Sequence, residues 1–241
     1  MDILLQKLQR FGVHYIKGDN VIILEILENR HNQATEIDTL INELLTQLKS
    51  SKLKKVKFEC PKTFLDSLNC TRTKMGIIGE RVMYTRSFTT PLDVSIPNYE
   101  VWSISENNSI SFLSEVMGKN YIDTEKFLTG MRIELPSQVE KMYTVYLVNN
   151  EPVGVVFPHI EPNTEKEGRI FWIGIHPDFL GKRLGKNLHL IGLHRLKDEF
   201  KAKTYLGMTQ VDNTQMRNIM VSNGCIQNKN SVISLQHSIK E

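Results

Sequence analysis

The stretch that most limits what this chain can fold into is Ile173–Leu188, IGIHPDFLGKRLGKNL. An alternating apolar segment runs into Pro177, then into two glycines set among Lys182, Arg183 and Lys186, then into an apolar pattern of helical period. Such a pattern is strand, turn, helix. A helix that starts there offers unpaired N–H groups and the positive end of its dipole, which suit a phosphate. Spacing removes two kinds of phosphate ligand. A Walker A loop needs four residues between its glycines, then Lys and Ser or Thr. Here three residues separate Gly181 from Gly185, and Asn187 follows Lys186, so the magnesium-holding hydroxyl is missing. The dinucleotide fingerprint G-x-G-x-x-G is also absent.

The rest of the chain alternates strands and helices. Helix is expected at Ile3–Arg10, strand at Val21–Ile26, and helix at about Ala34–Leu48 with Ile37, Leu40, Ile41, Leu44, Leu45 and Leu48 on one face. KKVKFECP reads as a strand ending at Pro61, followed by a short helix carrying Phe64, Leu65 and Leu68, then a strand at Glu80–Phe88. TTPLDVSIPNY, residues 89–99, has two prolines and no helical period and reads as a linker. Beyond it come helices at Ser109–Met117 and Thr124–Met131. KMYTVYLV and PVGVVFPHI form a hairpin across NNEP. A polar loop, EPNTEKEG, leads to the strand RIFWIGIHP. A helix follows from Gly185 to about Phe200, then strand TYLGMTQV, helix Thr214–Ser222 and strand SVISLQHS.

With 241 residues, one large domain or two small ones are possible, and 40% hydrophobic residues supply a core. A net charge of +3 is too weak to argue for nucleic acid. The densest cationic run, Lys52, Lys54, Lys55 and Lys57, is broken by Leu53 and Val56 and reads as a solvated strand edge or helix end. Three cysteines with no C-x-x-C argue against a disulfide framework or a zinc site and suit a reducing cytoplasm. His189 and His194 do not share a face closely enough for a metal pair. The opening MDILLQKLQRFG reads as an amphipathic helix and not a signal peptide. No run approaches the roughly 20 apolar residues of a membrane span.

The loop resembles the acyl-CoA loop of the GNAT superfamily of N-acetyltransferases: a strand ending V-x-P, then Arg/Gln-x-x-Gly-x-Gly/Ala opening a helix. Here the strand ends Ile175-His176-Pro177 and the loop is Leu180, Gly181, Lys182, Arg183, Leu184, Gly185, followed by Lys186. Leu180 stands for the usual Arg or Gln, and Arg183 for the usual first Gly. Arg183 would need an unstrained negative φ there. The family's downstream signature, N-x-x-(A)-x-x-x-Y-x-x-x-G-F, is matched in spacing by Asn213, Met216, Met220, Gly224 and Cys225. The hairpin with Gly154 matches upstream, so the likeness runs from about Tyr99 to Ser238. FLDSLNC before Cys70 echoes IMVSNGC before Cys225, which suggests a partial first copy, though two short amphipathic helices can match by chance.

The resemblance implies an α/β (α+β) fold with a central mixed, mostly antiparallel sheet flanked by helices, possibly in tandem. It implies a degenerate GNAT-like domain at residues 1–90 and a GNAT acetyltransferase domain at 97–241. Acetyl-CoA would be the co-substrate, with no metal. Its pantetheine arm would pair with the backbone of Ile173, Gly174 and Ile175. Its diphosphate would sit at Leu180–Lys186; Asn213 would reach the pantetheine or its neighbouring backbone, and Met216 and Met220 would also belong to the cofactor site. Asn213 is equally well placed to cap the following helix. The implied reaction is acyl transfer to a primary amine of a small molecule or peptide by a monomer or homodimer, cytoplasmic and independent of nucleic acid or membrane. The family's helix tyrosine, a proton donor to the leaving thiolate, is Met220 here. A non-catalytic acyl-CoA-binding or interaction module is therefore the alternative. Candidates for the general base are His176 at the strand's end, Glu161, Glu165 and Glu167 in the loop before it, and the hydroxyl of Ser222, with Tyr205 read as a packing residue.

Overall fold

The computed structural model describes residues 1–18, 20–26, 30–48, 51, 53–89 and 94–239. Lys52 and residues 90–93 of the expected linker lie outside them. The chain divides into two compact units, residues 1–83, 208–212 and 228–241, and residues 84–207 and 213–227.

The first unit holds α1 (Asp2–Arg10), β1 (His14–Lys17), β2 (Val21–Glu25), α2 (Ala34–Leu48), β3 (Lys55–Pro61), α3 (Lys62–Leu65), α4 (Asn69–Lys74) and most of β4 (Gly76–Ser87) and β10 (Ile226–Ser238). β2 and β3 run parallel, joined through α2, while β1 and β10 pair antiparallel with β2 and β3. The apolar stripe of α2 is buried as its spacing predicts, Ile37, Ile41, Leu44 and Leu48 packing with Leu5, Leu24, Val56 and Phe58. Two details differ from expectation. The short strand β1 completes a hairpin with β2, and the helix expected after Pro61 is two short helices. Asp38 on α2 breaks the run, its carboxylate accepting from the N–H groups of Cys70 and Thr71 at the start of α4.

The second unit holds β5 (Tyr99–Val101), α5 (Asn107–Met117), α6 (Tyr121–Glu134), β6 (Thr144–Val148), β7 (Glu151–Ile160), β8 (Glu167–Ile175), α7 (Gly185–Asp198), most of β9 (Thr204–Gln210) and α8 (Thr214–Ser222). The sheet order is β9-β8-β7-β6-β5. β5 to β8 run antiparallel, and β8 and β9 run parallel. The β6–β7 hairpin turns on Asn149 and Asn150, both with positive φ, as the Asn-rich turn predicts. α5 and α6 cover one face, with Leu113, Val116, Leu128 and Met131 against Val145, Val155 and Phe157. α7 covers the other, with Leu188 and Ile191 against Val156. Gly192 permits that approach, since a Cβ there would lie 2.9 Å from Ile170. The sheet is mixed, mostly antiparallel and flanked by helices. Among the described residues no helix is long and apolar enough to cross a membrane.

Candidate functional site

The ladder between β8 and β9 stops almost where it starts. Only Glu167↔Thr204 and Gly168↔Tyr205 pair, and from Arg169 onward β8 is paired only with β7. The His176 N–H donates to the Val153 carbonyl at 2.9 Å. Antiparallel alternation therefore turns the backbone groups of Gly174 toward β7 and those of Ile173 and Ile175 away from it, along the open edge. Of the three residues expected to offer free backbone, two do. Gly174 is required for another reason, because the Trp172 indole lies over it and a Cβ would come within 2.3 Å.

At the end of β8 the chain makes one 3₁₀ turn, Pro177–Phe179, and reaches the loop. Gly181 has φ +79° and Arg183 φ +60°. This corrects the negative φ expected at Arg183. The loop keeps a left-handed residue where the family has glycine, and arginine adopts it under strain. Leu184 is helical at φ −75°, ψ −19°. Successive residues of opposite hand turn their N–H groups to one side, as in an anion-binding nest. Among the described residues, the N–H groups of Arg183, Leu184, Gly185, Lys186 and Asn187 have no acceptor in the protein. Lys182, Arg183 and Lys186 are exposed around them, and the Lys182 ammonium sits 4.3 Å above the Phe179 ring. Leu180 is exposed and bare of any polar role. Gly185 faces α8, where a Cβ would meet Ile219 at 2.9 Å. Its small size thus serves helix packing at least as directly as ligand approach.

Asn213 caps α8, its side-chain oxygen accepting from the Met216 N–H at 3.0 Å. Met216 is half-buried and Met220 buried in the same helix. The Ser222 hydroxyl is exposed and donates to the Ile219 carbonyl, so it is engaged with its own helix. Behind α8 lies a polar core that sequence reasoning did not foresee. His189 is fully buried, its Nδ1 accepting from Asn223 at 3.0 Å and its Nε2 facing the Tyr205 hydroxyl at 3.1 Å. Burial, helped by Arg86, pushes this imidazole down to about 3, and burial pushes the Cys225 thiol up to about 12. Both groups are neutral structural partners at ordinary pH.

The candidate bases do not meet. His176 stands at the loop end of β8, stacked on Phe112 of α5, with Nδ1 accepting from the Asp178 N–H and Nε2 3.2 Å from the Glu115 carboxylate. Glu161 and Glu167 stand at the opposite end, roughly 30 Å away at about 3.3 Å per strand residue. There Arg169 binds Glu167 at 2.8 Å and Glu161 at 3.5 Å. Glu165 is exposed and lies 3.8 Å from Lys203. Two features missed in the sequence complete this end. His159 on β7 is buried with Nε2 3.3 Å from Glu161. The second is a bulge that sets Phe171 and Trp172 together opposite Phe157. The signal for His159 was a histidine two residues before Glu161, on the same strand face.

Residues 111–222 match the family model described as the acetyltransferase (GNAT) family. No curated protein sequence matches the chain. Solved structures do. A GCN5-related N-acetyltransferase from Sphaerobacter thermophilus aligns with TM-score 0.66 and 11% identity over 95% of this chain and 76% of its own. A tandem GNAT protein from the clavulanic acid biosynthesis pathway aligns with TM-score 0.66 and 10% identity over 95% of this chain and 79% of its own. A GCN5-related N-acetyltransferase from Kribbella flavida aligns with TM-score 0.62 and 8% identity over 99% of this chain and 95% of its own. At such identities the likeness is one of fold, and it extends over both units.

Proposed function

We propose that this chain, whose residues 111–222 match the acetyltransferase (GNAT) family model, moves an acyl group from coenzyme A to a primary amine. The observation that carries the proposal is the early end of the β8–β9 ladder directly before a loop of unpaired N–H groups. The open edge offers Ile173 and Ile175 to an amide-bearing arm as a further strand would. The start of α7, with Gly181–Lys186, offers donors and positive charge to a diphosphate. Ile173, Ile175 and the loop therefore fit acetyl-CoA as co-substrate. Leu180 and Gly174 border that path, and Asn213, Met216 and Met220 back it from α8. Counting back from the loop, an extended arm about five strand residues long, roughly 17 Å, brings the thioester opposite Ile170–Trp172. Attack by a neutral amine at the thioester carbon forms the amide and releases the thiol. Met220 is buried and has no proton to give, so the thiolate leaves without help from that position. Free cysteines at 60, 70 and 225 suit a reducing compartment such as the cytoplasm.

Unfolding with and without acetyl-CoA tests binding. At about a hundred times Kd, a ligand bound to the native state adds about 2.7 kcal/mol. Absence of any shift refutes the proposal. Thiol release with a panel of amines then separates an enzyme from a binding module, the second reading that Met220 and Leu180 support.

A further inference from the structure

The bulge in β8 sets two rings side by side at the depth where the thioester would lie. Between the pairs Val156↔Ile173 and Pro158↔Ile170, β7 has only Phe157 while β8 has Phe171 and Trp172. Both rings consequently join the cluster on the α5–α6 face, and bulges commonly re-aim side chains beside a site. Phe127 of α6 closes over them, 5.7 Å from Phe171 and 6.5 Å from Trp172. The ring of His159 lies 5.9 Å from Phe171, in the same patch. Its Nε2 faces the Glu161 carboxylate, which places the proton on Nε2 and the lone pair on Nδ1. That Nδ1 is buried and has no hydrogen-bond partner. Buried acceptors without a donor are uncommon and call for one. The Glu161 and Glu134 carboxylates lie by the ring, and Arg169 bridges Glu161 and Glu167 beside them. Burial, then Glu161, pushes the Glu134 carboxyl up, with His159 opposing. The surroundings favour a cation and disfavour an anion.

Resting on the acyltransferase function proposed above, we infer that the acceptor is a primary amine carried on a flat apolar body that bears no carboxylate. Its body lies against Phe127, Phe171 and Trp172, and its nitrogen meets Nδ1 of His159. Phe127, half-buried, is the ring that turns aside to admit it. The ammonium gives one proton to His159, and Glu161 balances the imidazolium charge. The freed lone pair forms the N–C bond at the thioester carbon. As the adduct collapses, the C–S bond breaks and its electron pair leaves on sulfur. The second nitrogen proton passes to that thiolate, and His159 returns its own to water. His159 is the catalytic base, and Glu161 is a positioning residue.

The test uses the full chain with phenethylamine as probe and phenylalanine, the same body plus a carboxylate, as control. Trp172 reports binding in a Trp102→Phe background with CoA present, since these are the two tryptophans of the chain. Phenethylamine should perturb Trp172 fluorescence and be acetylated. Phenylalanine should show kcat/KM lower by roughly tenfold or more, because its carboxylate faces like charge. His159→Gln keeps a donor to Glu161 but has no basic lone pair. It should lower kcat about a hundredfold with little change in KM and remove the acid limb of the pH profile. Glu161→Gln should lower kcat roughly tenfold with little change in KM, and it serves if His159→Gln fails to fold. Equal use of phenylalanine, no effect of phenethylamine on Trp172, or an unchanged kcat in both variants overturns the inference while acetyl-CoA still binds. Failure of acetyl-CoA itself to shift unfolding overturns the acyltransferase function and this inference with it.

Discussion

Replacing Arg183 by glycine should stabilise the protein. Arg183 is held at φ +60°, where a Cβ-bearing residue pays roughly 1–2 kcal/mol for the contact of its Cβ with the following carbonyl. Glycine avoids that clash but loses about 0.5–1 kcal/mol through its greater freedom in the unfolded chain. The side chain is exposed, and among the described residues no hydrogen bond or ion pair offsets the strain. The net gain is about 0.5–1 kcal/mol, a rise in urea midpoint of roughly 0.3–0.5 M at an m-value near 2 kcal/mol/M. Tryptophan fluorescence follows the right transition, because Trp102 and Trp172 both lie in the second unit. Asparagine should also stabilise, since it tolerates the left-handed region; alanine should be close to neutral, and valine should destabilise. Arg183→Gly should at the same time weaken acetyl-CoA a few-fold and flatten the salt dependence of binding, as a surface cation near a diphosphate is lost. A glycine variant no more stable than the alanine variant would refute the assignment of strain to this residue.

Two further predictions concern the helices behind the loop. His189 is neutral in the folded protein because burial pushes its imidazole down to about 3, while the unfolded chain titrates near 6.5. Its contribution to stability is therefore whole above about pH 6.5 and is lost as pH falls toward 3, by about 1.4 kcal/mol per pH unit. Urea midpoints measured from pH 7 to pH 4 should show that slope, and a folded His189→Gln variant should lack it. Asn213→Ala should cost about 1 kcal/mol through loss of the α8 cap, with Asn213→Asp close to neutral. If acetyl-CoA affinity is unchanged in Asn213→Ala, the residue is a cap and nothing more.

Much of the second unit was legible before any coordinates. The helical period of α7, the apolar runs of β6 and β7 and the Asn-Asn turn between them each state one local conformation, and the fold obeys all three. The loop of unpaired N–H groups could be read because such donors depend on where a helix starts, not on which side chains it carries. What escaped were features set by three-dimensional closure. β1 and β5 are too short, four and three residues, to show a period of two. The hand of Arg183 is dictated by the path between Pro177 and Gly185 and overrides residue preference. The bulge at Phe171 and Trp172 is invisible in RIFWIGI because an apolar run carries no mark of which residues double up. It is this bulge that joins two neighbouring aromatics on one face and brings them beside His159.

The interleaving of the two units has a consequence for biosynthesis. Strand β3 leaves the ribosome long before its antiparallel neighbour β10, which pairs with it through Val232 opposite Pro61 and Ser238 opposite Lys55. Until residues 228–238 leave the ribosome, one side of β3 is a bare, apolar-flanked edge open to any passing strand. Shortened forms ending before Asn228 should expose that edge permanently and aggregate through the first unit, however sound the second unit remains.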